Sequence, residues 1–160
     1  MYLSRMVETT HIGVGAPDGG RILGLDYGER RIGLALSDPL RLTAGALLTL
    51  TRESRARDLA ALRAVVEEHE VRRIVVGLPL AMNGTRTAMT VKAEEFAGAV
   101  GRATGVPVET WDERLTTAQA TRTLIEGEVR RERRREVIDQ VAAVILLQSY
   151  LDALGARSGA

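Results

Sequence analysis

Three acidic residues stand where apolar sequence gives way to turn or small-residue sequence. They are Asp26 in Gly24-Leu-Asp26-Tyr-Gly28, Glu113 in Asp112-Glu113-Arg114-Leu115-Thr116-Thr117, and Asp139 in Asp139-Gln140-Val141-Ala142-Ala143. An ionised carboxylate against apolar sequence is costly to bury unless a positive charge balances it. A divalent cation provides that charge, and Mg²⁺ and Mn²⁺ take oxygen ligands of this kind. If the fold brings the three together, they point to metal-assisted cleavage of a phosphodiester. In that chemistry two cations about 4 Å apart hold one phosphate, one activating water and the other stabilising the leaving 3′-oxygen.

The elements that must position these carboxylates follow from hydrophobic periodicity. Arg21 to Tyr27 and Arg31 to Ser37 are short apolar segments joined by Gly28-Glu29-Arg30, a hairpin signal, and Leu42 to Leu50 supplies a third antiparallel strand. Leu59, Leu62, Val66 and His69 recur at helical spacing, with Glu53, Ser54 and Asp58 where that helix begins. Ile74 to Leu78, bounded by Arg72-Arg73 and Pro79, reads as a central parallel strand buried on both faces. A loop from Pro79 to Thr85, a helix from Thr87 to Ala103, a strand from Val106 to Trp111, and helical stretches at Thr116 to Glu126 and Arg131 to Leu154 complete the order βββαβαβα. A meander followed by alternating helix and strand predicts an α/β fold, a mixed five-stranded sheet with helices on both faces, in the order of the ribonuclease H-like fold.

The chain has 160 residues, 45% of them hydrophobic, which suits one domain with a single substantial core. We expect that domain over residues 21–154, with a flexible Gly/Pro-containing extension over 1–20 and a frayed tail over 155–160. Net charge is +1, so any nucleic-acid binding must come from local clusters of positive charge. Of the 22 Lys and Arg residues only Lys92 is lysine, a bias that a GC-rich genome produces without selection for phosphate binding. There is no cysteine, which excludes disulfides, thiolate nucleophiles and Cys-ligated zinc. No apolar run approaches the roughly 20 residues of a membrane span, and the N-terminus lacks a secretory h-region. A cytoplasmic location without membrane contact is the expectation.

Each candidate has a plainer reading. Asp26 precedes a turn in which Asp-x-Gly is common. Asp112 and Glu113 are neighbours, so on a strand they face opposite ways, and parity alone does not choose which joins Asp26; both also suit the cap of a following helix. Asp139 shares a helical face with Ala142, Ala143 and Leu146, small and apolar groups that let a helix approach a sheet. Asn83-Gly84-Thr85 is either a phosphate-binding turn before a helix N-terminus or an ordinary turn capped by Thr85 or Thr87. Arg30, Arg31 and Arg86 flank the same end of the sheet and suit a phosphodiester backbone. The run Arg130 to Glu136 is either a strand-holding basic patch or a solvated helix end. Trp111 suits sheet packing or base stacking, and His11 and His69 lack paired spacing.

Four motifs stand in order: Gly24-Leu-Asp26-Tyr-Gly28 with Arg31-Ile-Gly33, Gly77-Leu-Pro-Leu80 with Asn83-Gly84-Thr85, Asp112-Glu-Arg-Leu-Thr-Thr117, and Asp139-x-x-Ala-Ala143. Together, over Arg21 to Leu154, they make the chain similar to the YqgF/RuvX family, Holliday-junction-resolvase-like proteins associated with pre-16S rRNA processing. The resemblance implies a Mg²⁺- or Mn²⁺-dependent nuclease with Asp26, Glu113 and Asp139 as catalytic metal ligands. It favours Glu113 over Asp112, which becomes a cap or an anchor for Arg114. Nucleic-acid contacts fall to Arg30, Arg31, Asn83, Thr85, Arg86 and Arg114. The implied partners are pre-rRNA and single-stranded or branched DNA, bound by a monomer or a homodimer. Many enzymes of the fold use a fourth carboxylate, for which Asp38 and Asp112 are the candidates. Two rival classes remain: an actin-like ATPase or sugar kinase, which needs a second domain, and a non-catalytic nucleic-acid-binding or ribosome-assembly factor.

Overall fold

A computed structural model describes residues 19–115 and 131–159, with side chains described for 19–114 and 137–157. Strands β1 (Arg21–Tyr27), β2 (Arg31–Ser37) and β3 (Ala44–Thr51) form an antiparallel meander. Helix α1 (Arg55–Glu68) leads to β4 (Val71–Leu78), helix α2 (Ala88–Thr104) to β5 (Val108–Asp112), and a 3₁₀ turn (Glu113–Leu115) follows. Helix α3 (Arg131–Gly159) closes the described chain. The sheet order is β3-β2-β1-β4-β5, with β4 parallel to both β1 and β5. This is a mixed five-stranded sheet of ribonuclease H-like order, as the periodicity predicts. The helical stretch expected at Thr116 to Glu126 lies outside the described residues.

Strand parity sorts the core into two layers. Leu23, Leu25 and Tyr27 of β1, Ile32 and Leu34 of β2, and Ile74 and Val76 of β4 bury against Leu62 and Val66 of α1 and Phe96 and Val100 of α2. Tyr27 and Phe96 lie 4.7 Å apart between ring centroids, a pairing worth about 1 kcal/mol beyond burial. On the opposite face Ile22, Ala35 and Val75 meet Ala143, Leu147, Tyr150 and Leu151 of α3. The helices therefore cover both faces, and among the described residues α3 is the helix that packs on the second.

Local chemistry fixes the element ends. Ser54 caps α1 by accepting from Arg57 N, and Thr87 and Thr90 form a reciprocal capping box at the start of α2. Strand β3 starts at Ala44, two residues later than expected. Asp38 takes the Leu40, Leu42 and Thr43 backbone N–H groups into a turn, leaving Leu40 and Leu42 exposed. Two further expectations are corrected. Val137–Arg157 is, by length and composition, apolar enough to cross a membrane, with mean hydropathy 1.5. Its apolar side chains supply the α3 layer of the core, the ordinary reason for such a run in a packed helix. Helix α3 also continues to Gly159, over residues read from sequence as a frayed tail.

Candidate active site

Because β1, β4 and β5 run parallel, their C-terminal ends meet at one edge of the sheet, and antiparallel β2 begins there. Ligand sites in open sheets favour this edge. An open cavity of about 740 Å³ lies there, lined by Asp26, Tyr27, Gly28, Arg30, Arg31, Pro79, Met89, Glu113, Ile138 and Asp139. The structure thus brings together the three carboxylates singled out from sequence, from β1, the end of β5 and α3. Asp26 is 4% exposed. Its even-numbered position on β1 aims it, with Ile22 and Gly24, at the α3 face.

Two glycines make room for the other carboxylates. Gly33 pairs with Asp26 across β1 and β2, and a Cβ added to it would sit 2.0 Å from the backbone oxygen of Asp139. The missing side chain is what lets α3 bring Asp139 down to the sheet, aided by fully buried Ala142 and Ala143 one turn on. Gly77 pairs with Trp111 across β4 and β5; a Cβ there would lie 2.8 Å from Glu113 Oε1 and 3.0 Å from Leu146 Cδ2. Glu113 therefore folds over Gly77 on the α3 face. This resolves the ambiguity left by parity. Trp111 faces α3, donating from Nε1 to Ser149 Oγ at 3.2 Å and meeting Tyr150 edge-on, and Glu113 continues its alternation. The tryptophan is a packing residue.

Asp112 takes the opposite direction. Its Oδ1 accepts from Arg114 N at 2.8 Å and its Oδ2 from Arg114 Nη2 at 2.7 Å. That pairing, led by the guanidinium hydrogen bond, holds the Asp112 carboxyl below its ordinary pKa. Arg114 also donates to Met82 O and packs on Gly84, tying the β4–α2 loop to the end of β5. Within that loop Asn83 Oδ1 accepts from the Thr85 backbone and hydroxyl, and Arg86 pairs with Glu94. Asn83, Thr85, Arg86 and Arg114 are thus absorbed in building the loop and do not line the cavity. Neither candidate for a fourth carboxylate lines it: Asp112 belongs to Arg114, and Asp38 caps a turn at the other end of the sheet. His69 ends α1 near Glu68, and the side chains of the Arg130 to Glu136 run lie outside those described.

Two arginines matter more than their sequence positions suggest. Arg31 Nε donates to Asp139 Oδ2 at 2.8 Å, with both side chains largely buried. Arg52 was not singled out from sequence. It reaches from beyond β3 to Asp58 Oδ2 (3.1 Å), Tyr27 Oη (2.8 Å) and Gly28 O (3.2 Å), with its guanidinium 4.7 Å over the Tyr27 ring. Asp58, 1% exposed, also accepts from Glu53 N. This network lies directly beneath the Asp26-Tyr27-Gly28 turn. The only advance signal was an acidic residue in the first turn of α1.

The donor set fits a divalent cation in kind: three carboxylates facing one water-accessible cavity, their hard oxygens suited to Mg²⁺ or Mn²⁺. Among the described residues no three acidic or imidazole groups stand close enough to grip one ion as placed, and the Asp139 carboxylate is turned to Arg31.

Solved structures with the same architecture include RuvC of T. thermophilus in complex with a Holliday junction substrate (TM-score 0.54, 21% identity, covering 88% of this chain and 96% of that one). Another is the yeast mitochondrial Holliday junction resolvase Ydc2 (TM-score 0.57, 12% identity, covering 88% and 81%). At these identities the likeness establishes the ribonuclease H-like fold. The sequence comparisons add the class, that of the nucleases. The chain belongs to the RuvX family, whose model, described as Holliday junction resolvase, matches residues 20–153. It is 50% identical over 136 residues to a protein of Koribacter versatilis (85% of this chain, 89% of that one) and 53% identical over 133 residues to one of Myxococcus xanthus (83% and 88%). Both carry the name "Putative pre-16S rRNA nuclease".

Proposed function

We propose that this chain is a divalent-metal-dependent nuclease of the bacterial cytoplasm that trims the 5′ end of pre-16S rRNA, with Asp26, Glu113 and Asp139 as its catalytic metal ligands. The observation that carries the reading is their placement by three separate elements around one cavity at the C-terminal edge of the parallel strands. The names of the two bacterial relatives support the RNA substrate; the description of the family supports branched DNA as the alternative. When bound, Mg²⁺ or Mn²⁺ supplies activation of water and charge stabilisation at the leaving 3′-oxygen. The chain's own part is positional. Asp26 is fixed by a sheet strand, Glu113 by its seat over Gly77, and Asp139 by a helix resting on Gly33, so three oxygen donors are held before substrate arrives. Arg30 and Arg31 on the cavity wall orient the phosphodiester backbone at the mouth. One RNA end requires only a monomer; a four-way junction calls for a symmetric dimer that presents two cavities.

The test is cleavage of end-labelled single-stranded RNA, single-stranded DNA and a four-way junction in Mn²⁺, Mg²⁺ or EDTA. The reading expects metal-dependent product, RNA preferred, and its loss in Glu113→Gln and Asp139→Asn. Binding without cleavage, retained in both variants, would assign the chain to the non-catalytic factors.

A further inference from the structure

We propose that Arg31 is an internal counter-ion for the metal ligand Asp139: it holds that carboxylate before a cation arrives and gives it up when one binds, freeing its guanidinium for the substrate phosphate. The inference deepens the metal-site reading above and rests on it.

Three carboxylates around one cavity repel one another when no cation is present. Asp139 is the one carried by an element outside the sheet, on helix α3. The same face of β2 supplies both devices that place it. Gly33 makes space for its backbone, and Arg31, two residues earlier, supplies the cation for its side chain. The bond spans 108 positions in sequence, with Arg31 25% and Asp139 17% exposed at the side chain. Asp139 is thereby directed toward the cavity wall, and the three carboxylates stop short of converging. A cation taken up by all three must compete with the guanidinium for Asp139. Arg31 lies on the wall of the same cavity, so side-chain rotation alone carries it from carboxylate to phosphate, an anion its planar fork also suits.

The prediction has an unusual sign, because removing an arginine that touches a metal ligand strengthens metal binding. Titration of the RNA-free protein with Mn²⁺ by calorimetry should show Arg31→Gln binding about tenfold tighter than wild type, the loss of one charge-assisted hydrogen bond as competitor. Arg30→Gln removes the same charge from the same cavity without a bond to Asp139, so it isolates the general electrostatic effect and should tighten binding less than Arg31→Gln does. If Arg31→Gln binds no tighter than Arg30→Gln, or binds more weakly than wild type, Arg31 is not a competitor and the proposal falls while the metal site stands. If wild type binds no Mn²⁺, the metal-site reading falls and takes this inference with it. Should Arg31→Gln fail to fold, the wild-type protein decides alone. Its Arg31 Nε–H should exchange slowly in the metal-free protein, then shift and lose protection on saturation with diamagnetic Mg²⁺, and an unchanged signal would overturn the proposal.

Discussion

Each end of the sheet carries an aspartate near a strand terminus, and the two are used in opposite ways. At one end Asp38 follows β2 and spends its carboxylate on three backbone N–H groups, of Leu40, Leu42 and Thr43, closing a turn. The hydrogen bond from Thr43 leads in holding its pKa below the ordinary value. At the other end Asp26 is buried on the α3 face, sharing a cavity with Glu113, Asp139 and two arginines. A carboxylate consumed by local backbone is a structural cap; one brought by the sheet to other carboxylates is a site. The difference lies in what the fold delivers to each aspartate, since both residues sit beside similar apolar strands.

That contrast is broken most severely at Gly33. Gly33→Ala drives a Cβ into the backbone of Asp139, and side-chain adjustment cannot relieve a backbone clash. We expect about 3 kcal/mol of destabilisation in urea denaturation, and about a hundredfold loss of cleavage from the displaced carboxylate. The alanine variant at Gly45, where a Cβ meets nothing within 4 Å, should lose no activity. Next comes the support beneath the Asp26 turn. Arg52→Ala leaves Asp58 buried without its ion-pair partner and should cost about 2 to 3 kcal/mol in thermal denaturation.

Smallest is the effect at the other end of the sheet. Asp38→Ala removes the turn cap and should cost about 1 kcal/mol of stability. Its pH dependence has a definite sign. The folded-state pKa of Asp38 is lowered, so its stabilisation is fully present above the ordinary value of 3.8 and is lost as pH falls through the lowered one. The stability gap between wild type and Asp38→Ala, measured by urea denaturation from pH 6 down to pH 3, should therefore be constant at first and narrow below about pH 4.

Much of this arrangement was legible in the sequence. Strand alternation and helical spacing supplied the element order, and Asp26, Glu113 and Asp139 stood out because acidic residues interrupted apolar runs. Parity left Asp112 and Glu113 level and the family motif favoured Glu113; the physical reason, that Trp111 faces α3, is carried by no local pattern. The glycines were visible only as motif letters; the role of Gly33 depends on a helix arriving from more than a hundred positions away, and that of Gly77 on a glutamate past the end of a neighbouring strand. The same distance hid the Arg31–Asp139 pair and led to Arg31 being read only as a phosphate contact. Arg52 escaped because its partners, Tyr27 and Asp58, belong to different elements. Asn83 and Thr85 bond to each other within their turn, and composition alone does not separate a turn that serves itself from one that binds phosphate.

The most direct test sets the two aspartates against each other. Cleavage of single-stranded RNA in Mn²⁺ should fall by at least about a thousandfold in Asp26→Asn, on the scale of losing a group that acts on transition-state charge, and stay within about twofold of wild type in Asp38→Asn. Equal rates in the two variants, or a greater loss in Asp38→Asn, would contradict the placement of the active site at the α3 end of the sheet.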